Sequence, residues 1–192
     1  MKLTILFLFS LSCALAQQAE LPFREIPDYP THYSAATVAA RMVDGLGFRY
    51  YWATEGLRSE DLSFSPDGDG RTSQETLVHI FELSRNVMNS VIQVPNTPEK
   101  TPAMPFAELR QKTLENLKVT RDKLIVSKDE DLAGYKMVFK RESGNREFPF
   151  WNEINGPISD ALWHVGQVVS MRRSSGNPIN PKVSVLVGKL ME

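Results

Sequence analysis

Four apolar patterns of helical period, set apart by proline- and glycine-bearing stretches, constrain this chain more than any other feature. The first follows Ser34, which can cap a helix running through Ala35-Ala36-Thr37-Val38-Ala39-Ala40-Arg41-Met42-Val43 toward Trp52. The second opens on Thr72 and Glu75, a T-x-x-E capping box, and continues with Thr76, Ile80, Leu83, Val87 and Val91. The third has Pro105 at its first turn and Phe106, Leu109, Leu114, Leu117, Leu124 and Ile125 as its apolar positions. The fourth starts at Gly156-Pro157, with Ile158, Ala161, Leu162, Val165, Val168, Val169 and Arg172 along one broad side. Asp67-Gly68 and Asp69-Gly70 mark a loop before the second helix, and Pro95, Pro98 and Pro102 forbid helix before the third. Between helices three and four, Tyr135, Met137, Phe139, Phe148 and Phe150 flank Ser143-Gly144-Asn145, the pattern of a short hairpin. The expected fold class is therefore all-α, a four-helix bundle with a short β-hairpin or extended insert before the last helix.

The ends are read separately. Met1-Lys2, an apolar run from Leu3 to Leu15 and Ala14-Leu15-Ala16 have the form of a secretory signal peptide over residues 1–16, cleaved after Ala16. The run is too short to cross a bilayer, which takes ~20 residues. The chain is thus expected to be exported, to the periplasm or the extracellular space, with no transmembrane segment. Cys13 is its only cysteine, and Ser10-Leu11-Ser12-Cys13 leaves lipid anchoring through Cys13 as an alternative. Residues 17–33 form an extended leader with Pro22, Pro27 and Pro30, and 34–178 the bundle. The tail, 179–192, is expected to pack loosely, with Val183, Val185, Leu186 and Val187 as its docking side chains.

Removing residues 1–16 from 192 leaves 176, one domain with no disulfide to staple it, so a hydrophobic core has to hold it. Taking Lys2 from the 22 basic residues leaves 21 against 23 acidic, a net charge of −2. Nucleic-acid binding needs a dense cationic footprint, and none is present.

Three histidines occur: His32 in the leader, His79 on the second helix and His164 on the fourth. Asp160 precedes His164 by four residues, so both lie on one helix face, and His79 can join them from another helix. Two imidazoles and a carboxylate suit zinc, nickel or ferrous iron and leave positions open for water or substrate. The bland alternatives are a surface or core histidine for His79 and a helix-start charge for Asp160. His32 reads as a surface residue. Gln167 is either a hydrogen-bonding support for the site or a packing residue. Glu82 is a spare carboxylate near His79, and Glu153 is the one candidate general base. Arg172 is read as a bundle-end arginine with a solvated head, and Trp52, Trp151 and Trp163 as core or pocket wall.

Arg71-Thr72-Ser73-Gln74-Glu75-Thr76-Leu77-Val78-His79-Ile80 resembles the second helix of the DinB/YfiT-like superfamily. Asp160-Ala161-Leu162-Trp163-His164-Val165-Gly166-Gln167, with Arg172 and Gly176 after it, resembles that superfamily's last helix. The resemblance covers roughly residues 34–178. It implies an up-down-down-up bundle and a divalent metal on three histidines, of which Asp160 here replaces one. It also implies pairing of two copies through helices. Characterised relatives are thiol-dependent transferases and some isomerases, and others are assigned as metal-dependent hydrolases. Small thiols belong mainly to the cytosol, so for an exported chain the resemblance points to a hydrolase. It would act on an unknown small-molecule substrate with a metal-bound water at His79, Asp160 and His164. The alternative is a non-catalytic bundle that binds or dimerises and keeps a degenerate metal site.

Overall fold

A computed structural model describes residues 20–66 and 70–192. The expected signal peptide and Cys13 lie outside the described residues. The described residues are mostly helical, with six α-helices among them and a small two-stranded hairpin between the fourth and fifth.

Local chemistry starts the long helices. In α1 (Ala35–Thr54) the Ser34 hydroxyl accepts from the Thr37 N–H at 3.1 Å, and the Ser34 N–H donates to Thr37 Oγ1 at 2.9 Å. In α3 (Ser73–Val91) the Thr72 N–H donates to Glu75 Oε2 at 2.8 Å, closing the expected capping box. Pro105 stands one position earlier than expected, as the N-cap of α4 (Phe106–Ile125), where its missing N–H costs nothing. Between α1 and α3 a short α2 (Ser59–Ser63) escaped the sequence patterns. Asp61 holds it: Arg58 reaches the carboxylate at 2.8 Å, and Asn177 Nδ2 and the Ser175 hydroxyl, from the far end of the chain, also donate to it.

The hairpin pairs β1 (Met137–Phe139) antiparallel with β2 (Arg146–Phe148). The last helix does not begin at Gly156-Pro157. Helical backbone starts at α5 (Phe150–Glu153), passes through a wide π-type turn over Ile154–Ile158 with a kink at Gly156, and continues as α6 (Ser159–Ser174). Pro157 supplies no N–H inside this stretch, so the widened turn takes the place of a regular hydrogen-bond ladder.

The four long helices close a ring, α1 against α4, α4 against α3, α3 against α6 and α6 against α1. Side-chain pairs fix their directions. Arg110 bonds Thr54 while Arg121 bonds Asp44, so α4 runs against α1. Ser73 meets Met171 while His79 meets Asp160, so α3 runs against α6. Arg172 near the end of α6 bonds Trp52 and Ala53 near the end of α1, so α1 and α6 point one way and α3 and α4 the other. Val43, Leu46, Tyr50, Leu77, Ile80, Val87, Leu109, Leu114, Leu117 and Leu124 fill the core between them, each nearly inaccessible to solvent.

Both ends of the described chain dock. Phe23 seats its ring on Gly47, and the Trp52 indole N–H donates to Arg24 O at 3.1 Å. The tail is not loose: Val183 and Leu190 pair in a second small hairpin packed on the core, and the Ile26 N–H donates to Gly188 O at 2.8 Å. Of the four side chains expected to dock it, Val183 packs on the core, while Val185, Leu186 and Val187 are exposed. Arg172 is also not solvated. It is buried, and its guanidinium donates to the carbonyls of Trp52, Ala53 and Glu55 at the end of α1 and to Asn177 O. It caps α1 from α6.

A Cβ at Gly47 would lie 2.5 Å from the Phe23 ring. Gly47→Ala should therefore unseat the leader. The better helix preference of alanine, ~1 kcal/mol, offsets part of an overpacking cost of about 1–3 kcal/mol. A net loss of about 1 kcal/mol is expected in thermal denaturation. Unchanged stability would mean that the leader does not lock onto α1.

Candidate metal centre

The antiparallel contact of α3 and α6 brings His79 to Asp160 and His164. His79 Nε2 lies 3.4 Å from Asp160 Oδ2, and His164 Nε2 lies 3.3 Å from Asp160 Oδ1. The two imidazoles stand edge to face, with ring centroids 4.7 Å apart at 80°. One ligand atom from each of the three residues falls within 4.8 Å of the other two, so the group can hold a metal ion. Asp160 and His164 share a face because they are four apart on α6. His79 arrives because the register of α3 sets Ser73 beside Met171 and carries the next two turns past Asp160.

Access is graded. The side chain of His164 is 14% exposed, that of His79 28% and that of Asp160 43%. The group therefore sits at the bundle surface with its carboxylate side open. A cleft lined by Arg71, Trp163, His164, Gln167 and Met171 adjoins it.

Gln167 resolves in favour of support. Its Oε1 is 2.8 Å from His164 Nδ1. An acceptor there places the ring proton on Nδ1 and leaves the Nε2 lone pair facing the site. In neutral His164 that lone pair would confront Asp160 Oδ1, two acceptors at 3.3 Å. A metal ion among the three residues would take up that lone pair; with the Gln167 amide turned end for end, His164 Nε2–H instead donates to Asp160. The donor set, two imidazoles and a carboxylate, fits a metal by geometry. Removing such an orienting bond typically lowers metal affinity 10–100-fold. Gln167→Leu is expected to fall in that range by calorimetric titration with zinc, with all three ligands still present. An unchanged affinity would show that Gln167 only packs.

Other sequence candidates lie elsewhere. Glu82 accepts from Thr101 Oγ1 at 2.8 Å and is not part of the group. Glu153 is wholly buried, and no hydrogen-bond partner meets either of its oxygens, so it cannot serve the site as a base. Burial pushes its carboxyl up to about 8, and the nearby Ser90 hydroxyl, outside hydrogen-bond geometry, offsets only part of this. His32 is exposed on the leader, away from the group. Of the tryptophans, Trp52 is core, Trp163 forms cleft wall and Trp151 is exposed. Sequence patterns missed Arg71 as a cleft residue, since an arginine before an N-cap carries no periodic signal.

No protein-family model, curated protein or solved structure matches this chain. Among the described residues, no helix is long and apolar enough to cross a membrane.

Proposed function

We propose that the protein is an exported metal-dependent hydrolase of the DinB/YfiT-like type, with His79, Asp160 and His164 as the ligands of one divalent ion. The observation that carries this reading is the convergence of three ligand atoms within 4.8 Å from two different helices. The directions of the four long helices, α1 and α6 against α3 and α4, support the family assignment because they follow the up-down-down-up order that the resemblance implies.

A divalent ion held by three protein ligands with an open side activates water for attack at neutral pH. The chain's own residues set the conditions for that chemistry. Gln167 fixes the His164 ring, and Asp160 adds a negative charge that tempers the Lewis acidity of the ion. Arg71 and Trp163 flank the open side, where a substrate carrying a negative charge and a planar group would find complementary partners. The cleft, of about 700 Å³, supports a small molecule as substrate.

Elemental analysis of the purified protein tests the reading. About one equivalent of zinc, nickel or iron per chain is expected. His79→Ala and His164→Ala should each lose it while keeping their helical circular dichroism. A folded protein that takes up no metal, even on reconstitution, would leave a non-catalytic binding bundle instead.

A further inference from the structure

A second site lies on the opposite side of α6. At 100° per residue, Ile158, Ser159 and Leu162 face away from Asp160 and His164. They form one wall of a cavity of about 530 Å³ whose other wall is α1. Val38, Met42 and Leu46 line it along α1, the exposed Tyr29 and Tyr33 border it from the leader, and Arg49 stands farthest along α1. From Val38 to Arg49 the groove spans three turns, about 16 Å at 1.5 Å per residue. Its volume falls within the usual range for small-molecule pockets, roughly 300–1,000 Å³.

The charges in it are one-sided. Arg41 and Arg49 contribute to the lining, and no carboxylate does. Arg41 is already engaged, 3.8 Å from Asp44 and bonded to Pro27 O and Asp28 O. Arg49 is different. Its guanidinium folds back on Gly45 O at 3.0 Å, over a residue without a Cβ, and among the described residues it meets no carboxylate. The result is an apolar trough ending in an uncompensated, half-buried cation.

The geometry points to a binding site for a free amphiphilic anion, an acyl or aryl-alkyl carboxylate. Its apolar body lies along Val38, Met42 and Leu162, and its carboxylate pairs with Arg49. A guanidinium is the side chain best shaped to grip a carboxylate through two N–H donors. The site is independent of the metal centre, from which the body of α6 separates it.

Dodecanoate, titrated calorimetrically below its micellar concentration into the full chain, should bind at one equivalent. Dodecyltrimethylammonium, with the same chain and the opposite charge, should bind at least tenfold more weakly. Arg49→Gln should weaken dodecanoate at least tenfold, and Met42→Trp, which fills the trough from a partly exposed position, should abolish binding. Neither should change metal content or thermal stability appreciably. Equal binding of the two amphiphiles, or no effect of Arg49→Gln, would overturn the proposal. So would binding only to anionic vesicles, which would make the trough a membrane contact. Absence of dodecanoate binding, with or without residues 1–16, would also overturn it.

Discussion

Glu153→Gln is expected to stabilise the protein at pH 7 by about 3 kcal/mol and to flatten its pH dependence between about 4.5 and 8. Glu153 closes α5 under the wide turn, wholly buried, with neither oxygen partnered. Its carboxyl titrates at about 8 in the fold, against an ordinary value of 4.5. Because the folded-state value is raised, the unfolded chain loses this proton first. Stability is therefore full below about pH 4.5, falls as pH rises, and the loss is complete above about 8, at ~1.4 kcal/mol per pH unit in between. The amide cannot ionise, so the variant should hold its stability across that window and match the parent near pH 4. Urea denaturation at pH 4, 6 and 8 measures it. The acid limb serves as an internal control. Asp61, buried and bonded by Arg58, Ser175 and Asn177, is held far below the usual carboxylate range. Its stabilisation is lost only as pH falls below about 4, so it should be untouched by the substitution. Parallel curves for parent and variant between pH 4.5 and 8 would mean that Glu153 is solvated.

Which parts of this structure were legible follows from the range of the interactions. Ser34 with Thr37, and Thr72 with Glu75, are bonds between residues three apart, and each starts a helix where the pattern places it. The hairpin over 137–148 follows from alternation around a glycine turn. Asp160 and His164 were legible for the same reason, whereas Gln167, one turn on, reads equally as a support or a packing residue until its bond to His164 is seen. Contacts across the chain left no such trace. Arg172 reads as a solvated arginine because its acceptors are main-chain carbonyls of α1, about 120 residues away. The five residues of α2 are too few to show a period, and Ser175 and Asn177 complete the network around Asp61 that holds them. Gly156-Pro157 carries the signature of a helix start, but packing of the wide turn against α3 lets helical backbone begin six residues earlier. His79 belongs between the two: its helix was legible, but its meeting with α6 depends on the antiparallel register.

Asp160 decides what kind of centre this is, and the magnitudes separate its two roles. As a charge in the first turn of α6 it contributes ~0.3–1 kcal/mol to stability and nothing specific to metal binding. That contribution is small here because Ile158 and Ser159 before it already have helical backbone, so the turn is not a free helix end. As a ligand whose two oxygens face two imidazoles at 3.3 and 3.4 Å, it should dominate affinity. Asp160→Ala is then expected to weaken zinc at least 100-fold, about 2.8 kcal/mol by the tenfold-per-1.4 conversion. Its thermal midpoint in chelator should be nearly unchanged. Asp160→His should restore stoichiometric metal and shift preference toward zinc and nickel over manganese or iron. A third imidazole removes the one oxygen donor that favours harder ions. Competition titrations with the four metals read both effects. If Asp160→Ala binds zinc as tightly as the parent, the carboxylate is a bystander and the centre reduces to two imidazoles. Two ligands would be too few for a resident catalytic ion, and the hydrolase reading would fall with them.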